Sequence, residues 1–390
     1  MEVFDVIIIG AGASGLMAAN QAAKRGRKIL DIDHAEQAGC KLLISGGGKC
    51  NITNSRISVA DYYGADTSFC KHAIKSFPSG SVLQLLESAK IETEERALGR
   101  VFCKKGAYEI VSHLVETAKE RGVRFLFNSN VLEIMHASGG FSVRCKEATF
   151  ETSHLLIATG GLACPQIGAT SYGYVLAEQF GHTLVPMKPV LAGFVLPQNS
   201  QLLNLQGISI HVKIQIKGKG KIIEEPLLFT HQGISGPAVL QTSCFWEKGD
   251  VVLINFLSSD DLISQMHKPE NGRLLVKSLL MQFLPERLAK ALISEQLAIR
   301  KVAELSKSDR LIIAGCVHQC AVVPEAVEGY VKAEATLGGI STQKLNPKSM
   351  ESLLVKGLFF AGEVIDITGR LGGYNIHWAF ASGFIAGQNL

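Results

Sequence analysis

Residues 6–22 read VIIIGAGASGLMAANQA, and no other stretch limits the possible folds of this chain so tightly. The apolar run 5–9 ends in glycine, the pattern of a buried parallel strand. Residues 16–23 are Ala-rich and helical, Gly26 closes that helix as a C-terminal cap, and 28–33 supply a second strand. Between strand and helix stand Gly10, Gly12 and Gly15, spaced G-x-G-x-x-G. Gly10 makes the tight turn, Gly12 lets the backbone approach a pyrophosphate, and Gly15 lets helix and strand pack closely. The helix N-terminus then offers free N–H groups and the positive end of its dipole to phosphates. The second strand ends at Asp33, where a carboxylate accepts hydrogen bonds from a ribose diol. Asp31 shares the parity of Asp33 but lies inside the strand, which favours Asp33 as the ribose ligand. Strand, turn, helix and terminal acid together predict a dinucleotide site; the bland alternative is a glycine-rich turn with no ligand.

Further along, 39–54 (GCKLLISGGGKCNITN) reads as a loop, with helices near 69–76, 80–89 and 107–121. Residues 123–134 and 141–145 read as strands, and 154–158 as a buried strand running into Thr159-Gly160-Gly161. From about residue 186 the character changes. HVKIQIKGKGKIIEE is an antiparallel hairpin pattern, and 262–309 is charged and helical. The α/β pattern returns after residue 336, with a strand at 357–361, a glycine-rich turn and a helix from Tyr374. The expected architecture is α/β. A discontinuous Rossmann-type domain is formed by 1–185 and 336–390. The insertion 186–335 is β-rich over 186–261 and 317–335, and helical over 262–316.

Three features favour FAD over NAD. Ser45-Gly46-Gly47-Gly48 follows the second strand at a distance suited to wrapping a long cofactor. Thr159, Gly160 and Gly161 end a buried strand in small residues. Gly362-Glu363 follows the late strand, where a carboxylate can bond a ribityl hydroxyl. Gly372-Gly373-Tyr374-Asn375 then opens a helix whose N-terminus can hold negative charge on a reduced flavin. Ala13, Ser14, Lys41, Asn51, Val131 and Ile376 complete the candidate cofactor set.

The segments GCKLLISGGGKCNITN, IATGGLACPQIGATSYGY, LLFTHQGISGPAVLQ and FAGEVIDITGRLGGYN resemble the BaiN/RdsA (YhiN-like) family of bacterial NAD(P)/FAD-dependent oxidoreductases. Relatives of that family include proteins called aminoacetone oxidase. The resemblance covers nearly the whole chain. It implies a glutathione-reductase-like FAD domain with noncovalent FAD, an inserted β-barrel-like domain and a helical subdomain, and it implies no single substrate. Where relatives carry Arg before Lys41 and before Cys50, this chain has Cys40 and Lys49. Lys49 keeps the charge without the bidentate fork.

The expected activity is hydride transfer to or from flavin N5, with a small or moderately sized organic substrate. The rival is a flavin-binding sensor or RNA-modification partner without turnover. His231 and Tyr374 are the catalytic candidates; the structural reading of each is a packed or surface residue. His377 reads as a packed helix histidine. Ser235 reads as a helix N-cap, since FTHQGISGPAV is not G-x-S-x-G. Cys50 has no near neighbour in sequence and reads as packing. Cys316 and Cys320, one helical turn apart, lack the second pair a metal site needs, so no metal is expected. No second glycine fingerprint occurs, so NAD(P)H is expected only as a transient reductant at the flavin face. Net charge is +4 with basic residues scattered, which predicts no nucleic-acid partner. Nine cysteines without framework spacing, an acidic start, and no apolar run near 20 residues point to the cytoplasm and away from the membrane.

Overall fold

The computed structural model describes residues 2–137, 139–146 and 148–390. The chain divides into two compact units, Met1–Pro189 with Glu334–Leu390, and Val190–Ala333.

In the first unit, β1 (Glu2–Ile9) is buried on both faces from Val6 to Ile9, as a central parallel strand must be. It pairs in parallel with β2 (Ile29–Ile32) on one side and with the strand Thr149–Ile157 on the other. Arg124–Leu126 adds outside β2, and Leu358–Phe360 adds in parallel to the second half of Thr149–Ile157. The first half of that long strand instead carries an antiparallel pair, Gly140–Cys145 and Val131–Ala137. The carboxyl ends of β1, β2, Thr149–Ile157 and Leu358–Phe360 therefore share one edge, and β1 lies where strand order reverses. Ligands of open α/β sheets bind at that place.

Helix α1 (Ala13–Ala23) follows β1 directly. The C-terminal helix Tyr374–Asn389 lies against it, with glycines at the contact: a Cβ on Gly383 would stand 2.3 Å from the Ser14 carbonyl oxygen, and one on Gly387 2.5 Å from that of Ala18. Small residues on both helices permit this approach.

The stretch 39–54 is more regular than a loop. Cys40–Ile44 is a short helix, α2, and Asn51–Asn54 is a strand, β3, paired with Arg100–Cys103 in a three-stranded sheet with Thr93–Arg96. These segments of four or five residues are too short to show the alternation that marks a strand in sequence. The expected strand 123–134 is two strands, broken where Asn128 takes a left-handed φ of 53°.

The second unit is built on a seven-stranded antiparallel sheet around the hairpin Ser209–Ile216 and Lys219–Phe229. Its two edge strands, Cys320–Val322 and Ala326–Val327, are separated by residues 323–325 alone, so the sheet curls round like a barrel. Phe194, Val212, Phe229, Ile254 and Leu279 lie in its own hydrophobic core. Between 262 and 309 the helices are short and broken by turns. The helix Lys307–His318 ends before Cys320, which begins a strand, so Cys316 and Cys320 do not share a helical face. Helix Pro237–Ser243 is capped by Gly236, not by Ser235, which closes the preceding strand. Among the described residues, no helix is long and apolar enough to cross a membrane, and no group of three or more His, Cys, Asp or Glu is placed to hold a metal ion.

Candidate functional site

The turn after β1 is tight because backbone passes backbone. A Cβ on Gly10 would stand 2.6 Å from the Ala158 carbonyl oxygen, and one on Gly15 1.9 Å from the Gly10 carbonyl oxygen. Gly12, the N-cap of α1, is different: the space where its Cβ would project is open. No side chain caps α1 and no acid lies in its first turn. The N–H groups of Gly12, Ala13, Ser14 and Gly15 meet no acceptor among the described residues. Four unsatisfied donors beside open space at a positive helix end form an anion cradle.

Asp33 sits at the rim. Its Oδ2 accepts from the Ala11 N–H at 2.7 Å and its Oδ1 from the Ala35 N–H at 2.8 Å. The carboxylate thus holds the glycine turn against β2. The Ser129 N–H donates to the Asp33 carbonyl at 3.1 Å, which brings the start of Val131–Ala137, with half-buried Val131, to the same end of the sheet.

The C-terminal motif reaches the cradle through Gly362, where a Cβ would stand 2.5 Å from the Ser14 hydroxyl oxygen. The Gly362 N–H donates to Ser382 Oγ at 2.9 Å, and its carbonyl accepts from Trp378 Nε1 at 3.0 Å. Glu363 is engaged twice. Oε2 pairs with Lys41 Nζ at 2.5 Å, and Oε1 accepts the Thr336 N–H at 2.8 Å. Thr336 Oγ1 in turn accepts from the N–H groups of Leu162 and Ala163, beyond Gly161. Gly160 faces open space, and buried Thr159 Oγ1 has no partner among the described residues. The sequence foretold neither the Lys41–Glu363 pair, 322 positions apart, nor the part of Thr336, which bonds Glu363 across 27 positions and Leu162 across 174.

Ser45, Gly46, Gly47 and Gly48 form an exposed to half-buried turn, and Ser45 Oγ donates to the Leu42 carbonyl at 2.7 Å. The Asn51 amide, oriented to donate to the Val101 carbonyl, accepts the Gly373 N–H at 3.2 Å. It thereby ties β3 to the start of the last helix. The N–H groups of Tyr374, Asn375 and half-buried Ile376 meet no acceptor among the described residues. The Asn375 side chain bridges both backbone groups of Gly369 at 2.8 Å. Gly372 and Gly373 both take positive φ, and a Cβ on Gly373 would strike the Thr53 carbonyl at 2.3 Å.

Of the catalytic candidates, Tyr374 is wholly buried. Its hydroxyl accepts from Arg370 at 2.6 Å, and Arg370 also pairs with Asp61 at 3.0 Å. Burial raises the Tyr374 phenol while Arg370 opposes that rise. The side chain with solvent access here is Arg370, which sequence reasoning passed over. His231 is exposed at the tip of the turn between two strands of the second unit. His377 is buried, with Nδ1 2.9 Å from Thr53 Oγ1, and burial lowers its pKa to about 4, which fits a packed neutral imidazole. In the second unit a groove of about 630 Å³ is lined by Leu202, Leu292, Leu311, Ile312, Cys316 and Val323, and His231 is not part of it.

The family model described as "HI0933-like protein Rossmann domain" matches residues 4–389. The chain is 38% identical over 395 residues to the ribosomal RNA dihydrouridine synthase of Escherichia coli K12, covering 100% of this chain and 98% of that protein. It is 29% identical over 402 residues to the 3-dehydro-bile acid delta(4,6)-reductase of Clostridium scindens, covering 98% and 97%. Among solved structures, a quinol-fumarate reductase with menaquinol molecules superposes with a TM-score of 0.53 at 18% identity, covering 99% of this chain and 70% of that one. At that identity the likeness concerns the fold.

Proposed function

The chain belongs to the HI0933-like Rossmann family, and on that premise we propose that it is an FAD-dependent reductase. It saturates a carbon–carbon double bond conjugated to a carbonyl, and its substrate is a uracil base of ribosomal RNA. The observation that carries the cofactor is the set of four N–H groups from Gly12 to Gly15 without an acceptor among the described residues, with open space at Gly12 and Asp33 on one rim. The pyrophosphate of FAD fits the cradle, Asp33 takes a ribose, and the backbone of Gly46 to Gly48, Thr159 to Gly161 and Tyr374 to Ile376 lines its further course. Glu363 fits a ribityl hydroxyl only through lone pairs left over from Lys41 and Thr336. Bound FAD supplies a hydride donor and acceptor at N5.

The two named relatives supply the reaction class. A dihydrouridine synthase and a delta(4,6)-reductase of a 3-oxo steroid both add hydride to an alkene conjugated to C=O. Hydride addition at the far carbon leaves negative charge on the carbonyl oxygen, and a cation near that oxygen lowers the barrier. Arg370, held by Asp61 and Tyr374 before the last helix, is the residue assigned to that charge. Uracil is preferred over a steroid because both relatives span nearly the whole chain and the synthase is the more similar, at 38% against 29% identity. This departs from the expectation, drawn from scattered basic charge, of no nucleic-acid partner. NAD(P)H is assigned as a transient hydride source, since the chain carries no second glycine fingerprint.

The test begins with released flavin identified by chromatography. The protein is then incubated with NADH or NADPH and ribosomal RNA from a strain lacking its own synthase, and the digested nucleosides are weighed by mass spectrometry. Dihydrouridine that rises with turnover supports the reading. FMN or no flavin overturns it whole; FAD with unchanged RNA and a reduced small enone overturns the uracil assignment alone. Arg370→Met is expected to keep FAD and to lose turnover.

A further inference from the structure

Cys50 closes the glycine turn, its N–H donating to the Ser45 carbonyl at 2.9 Å, and it holds a left-handed φ of 50°. In the register of β3 with Arg100–Cys103, Asn51 stands opposite Phe102, which sets Cys50 opposite Cys103 one position on. The backbone is close there: the Cys103 N–H donates to the Lys49 carbonyl at 3.0 Å and reaches the Cys50 carbonyl at 3.4 Å. Both side chains are wholly buried, and each thiol shifts the other's ionisation, as neighbours do. A disulfide needs Cα atoms about 4.4–6.8 Å apart, and the approach of the Cys103 N–H to the Lys49 and Cys50 carbonyls sets the two residues on neighbouring backbone. Sequence alone hid this neighbour, which is 53 positions away (103 less 50).

We propose that Cys50 and Cys103 form a redox-modification site, a dithiol that a hydroperoxide oxidises to a disulfide at the base of the glycine turn. The two thiols are not equivalent. The neighbouring Cys50 thiol holds Cys103 below the ordinary thiol range against the effect of burial, while Cys103 and then burial push Cys50 well above it. Cys103 ionises first and is the attacking sulfur. Its thiolate takes the distal oxygen of hydrogen peroxide: an S–O bond forms, the O–O bond breaks, and hydroxide leaves to be protonated. The Cys50 sulfur then attacks the sulfenic sulfur, an S–S bond forms, the S–O bond breaks, and water leaves with the Cys50 proton. Two thiols and one peroxide give one disulfide and two waters. The oxidant is small because the sulfurs are buried. Access comes through the turn above them, where Gly46, Gly47 and Lys49 are exposed and the Lys49 N–H to Gly46 bond is long at 3.4 Å.

The experiment titrates the full-length protein with hydrogen peroxide, then denatures it in an alkylating reagent and maps the peptides. The expected result is loss of alkylation at Cys50 and Cys103 together, one linked peptide containing both, a mass lower by two hydrogens, and full reversal by dithiothreitol. Cys50→Ser is expected to leave a sulfenic acid on Cys103 that dimedone traps, and Cys103→Ser to leave Cys50 unreacted. Cys50 and Cys103 both alkylated at peroxide levels that oxidise half-exposed Cys40 would overturn the proposal. Either cysteine linked to a third one would also overturn it. Peptide mapping of the native protein decides the matter even if a serine variant fails to fold.

Discussion

Asp31→Asn raises the stability of the nucleotide-binding unit by an amount that grows with pH. Asp31 is wholly buried on β2, opposite Ile8 of β1 and Phe125 of the neighbouring strand, and neither carboxylate oxygen meets a hydrogen-bond partner among the described residues. Burial, and then the charge of Asp33, raise its pKa well above the ordinary value of an aspartate. The sign follows from proton counting. Below the unfolded pKa of about 3.9 both states hold the proton and the variant matches the parent. Above it the unfolded chain releases the proton while the folded protein keeps it, so parental stability falls by about 1.4 kcal/mol per pH unit until the folded pKa is reached. The gap between Asp31→Asn and parent at about pH 7 is therefore at most about 4 kcal/mol. Asp31→Val, which also removes the unpaired polar group, adds about 1–3 kcal/mol at every pH. Urea midpoints followed by fluorescence measure this, because Trp378 reports on the nucleotide-binding unit and Trp246 lies in the core of the other. Parallel curves for Asp31→Asn and parent between about pH 4 and pH 7 would show that the folded carboxyl is ionised and partnered, and the reasoning would fail. A destabilised Asp31→Val would refute the claim of an unsatisfied group.

Gly12→Val is expected to fold normally, since space is open at that position, and to lose FAD; circular dichroism with flavin quantification checks both halves, and retained stoichiometric FAD would remove the cradle assignment. Gly383→Ala pushes a methyl toward the Ser14 carbonyl and is expected to cost about 1–3 kcal/mol in urea titration; an unchanged midpoint would show that the two helices part freely. His377, held neutral by burial down to about 4, binds its proton in the unfolded chain first. Its contribution is therefore intact above about pH 6.5 and is lost as pH falls toward 4, a loss of about 3 kcal/mol that His377→Gln abolishes. Equal acid sensitivity of parent and variant would place a charge partner at the imidazole.

The sequence by itself determined the first βαβ unit, the late strand and the last helix. In each the deciding forces act between residues a turn or a strand apart. Apolar side chains next to glycine mark a buried strand, and Gly10 and Gly15 sit where any Cβ would enter neighbouring backbone. Asp33 was legible for the same reason, since a strand of known length ends there. Tertiary structure alone decided how distant pieces engage. Glu363 was read as able to bond a ribityl hydroxyl, and the fold alone shows that Lys41 and Thr336 also engage it. Tyr374 was read as facing the chemistry, yet packing buries it behind Arg370. Cys50 was read as solitary, yet the pairing of two short strands distant in sequence brings Cys103 beside it. Nothing near these residues in the chain encodes such contacts. They arise because burying the shared core fixes strand register and helix docking, and the side chains that then meet are those the packing leaves face to face.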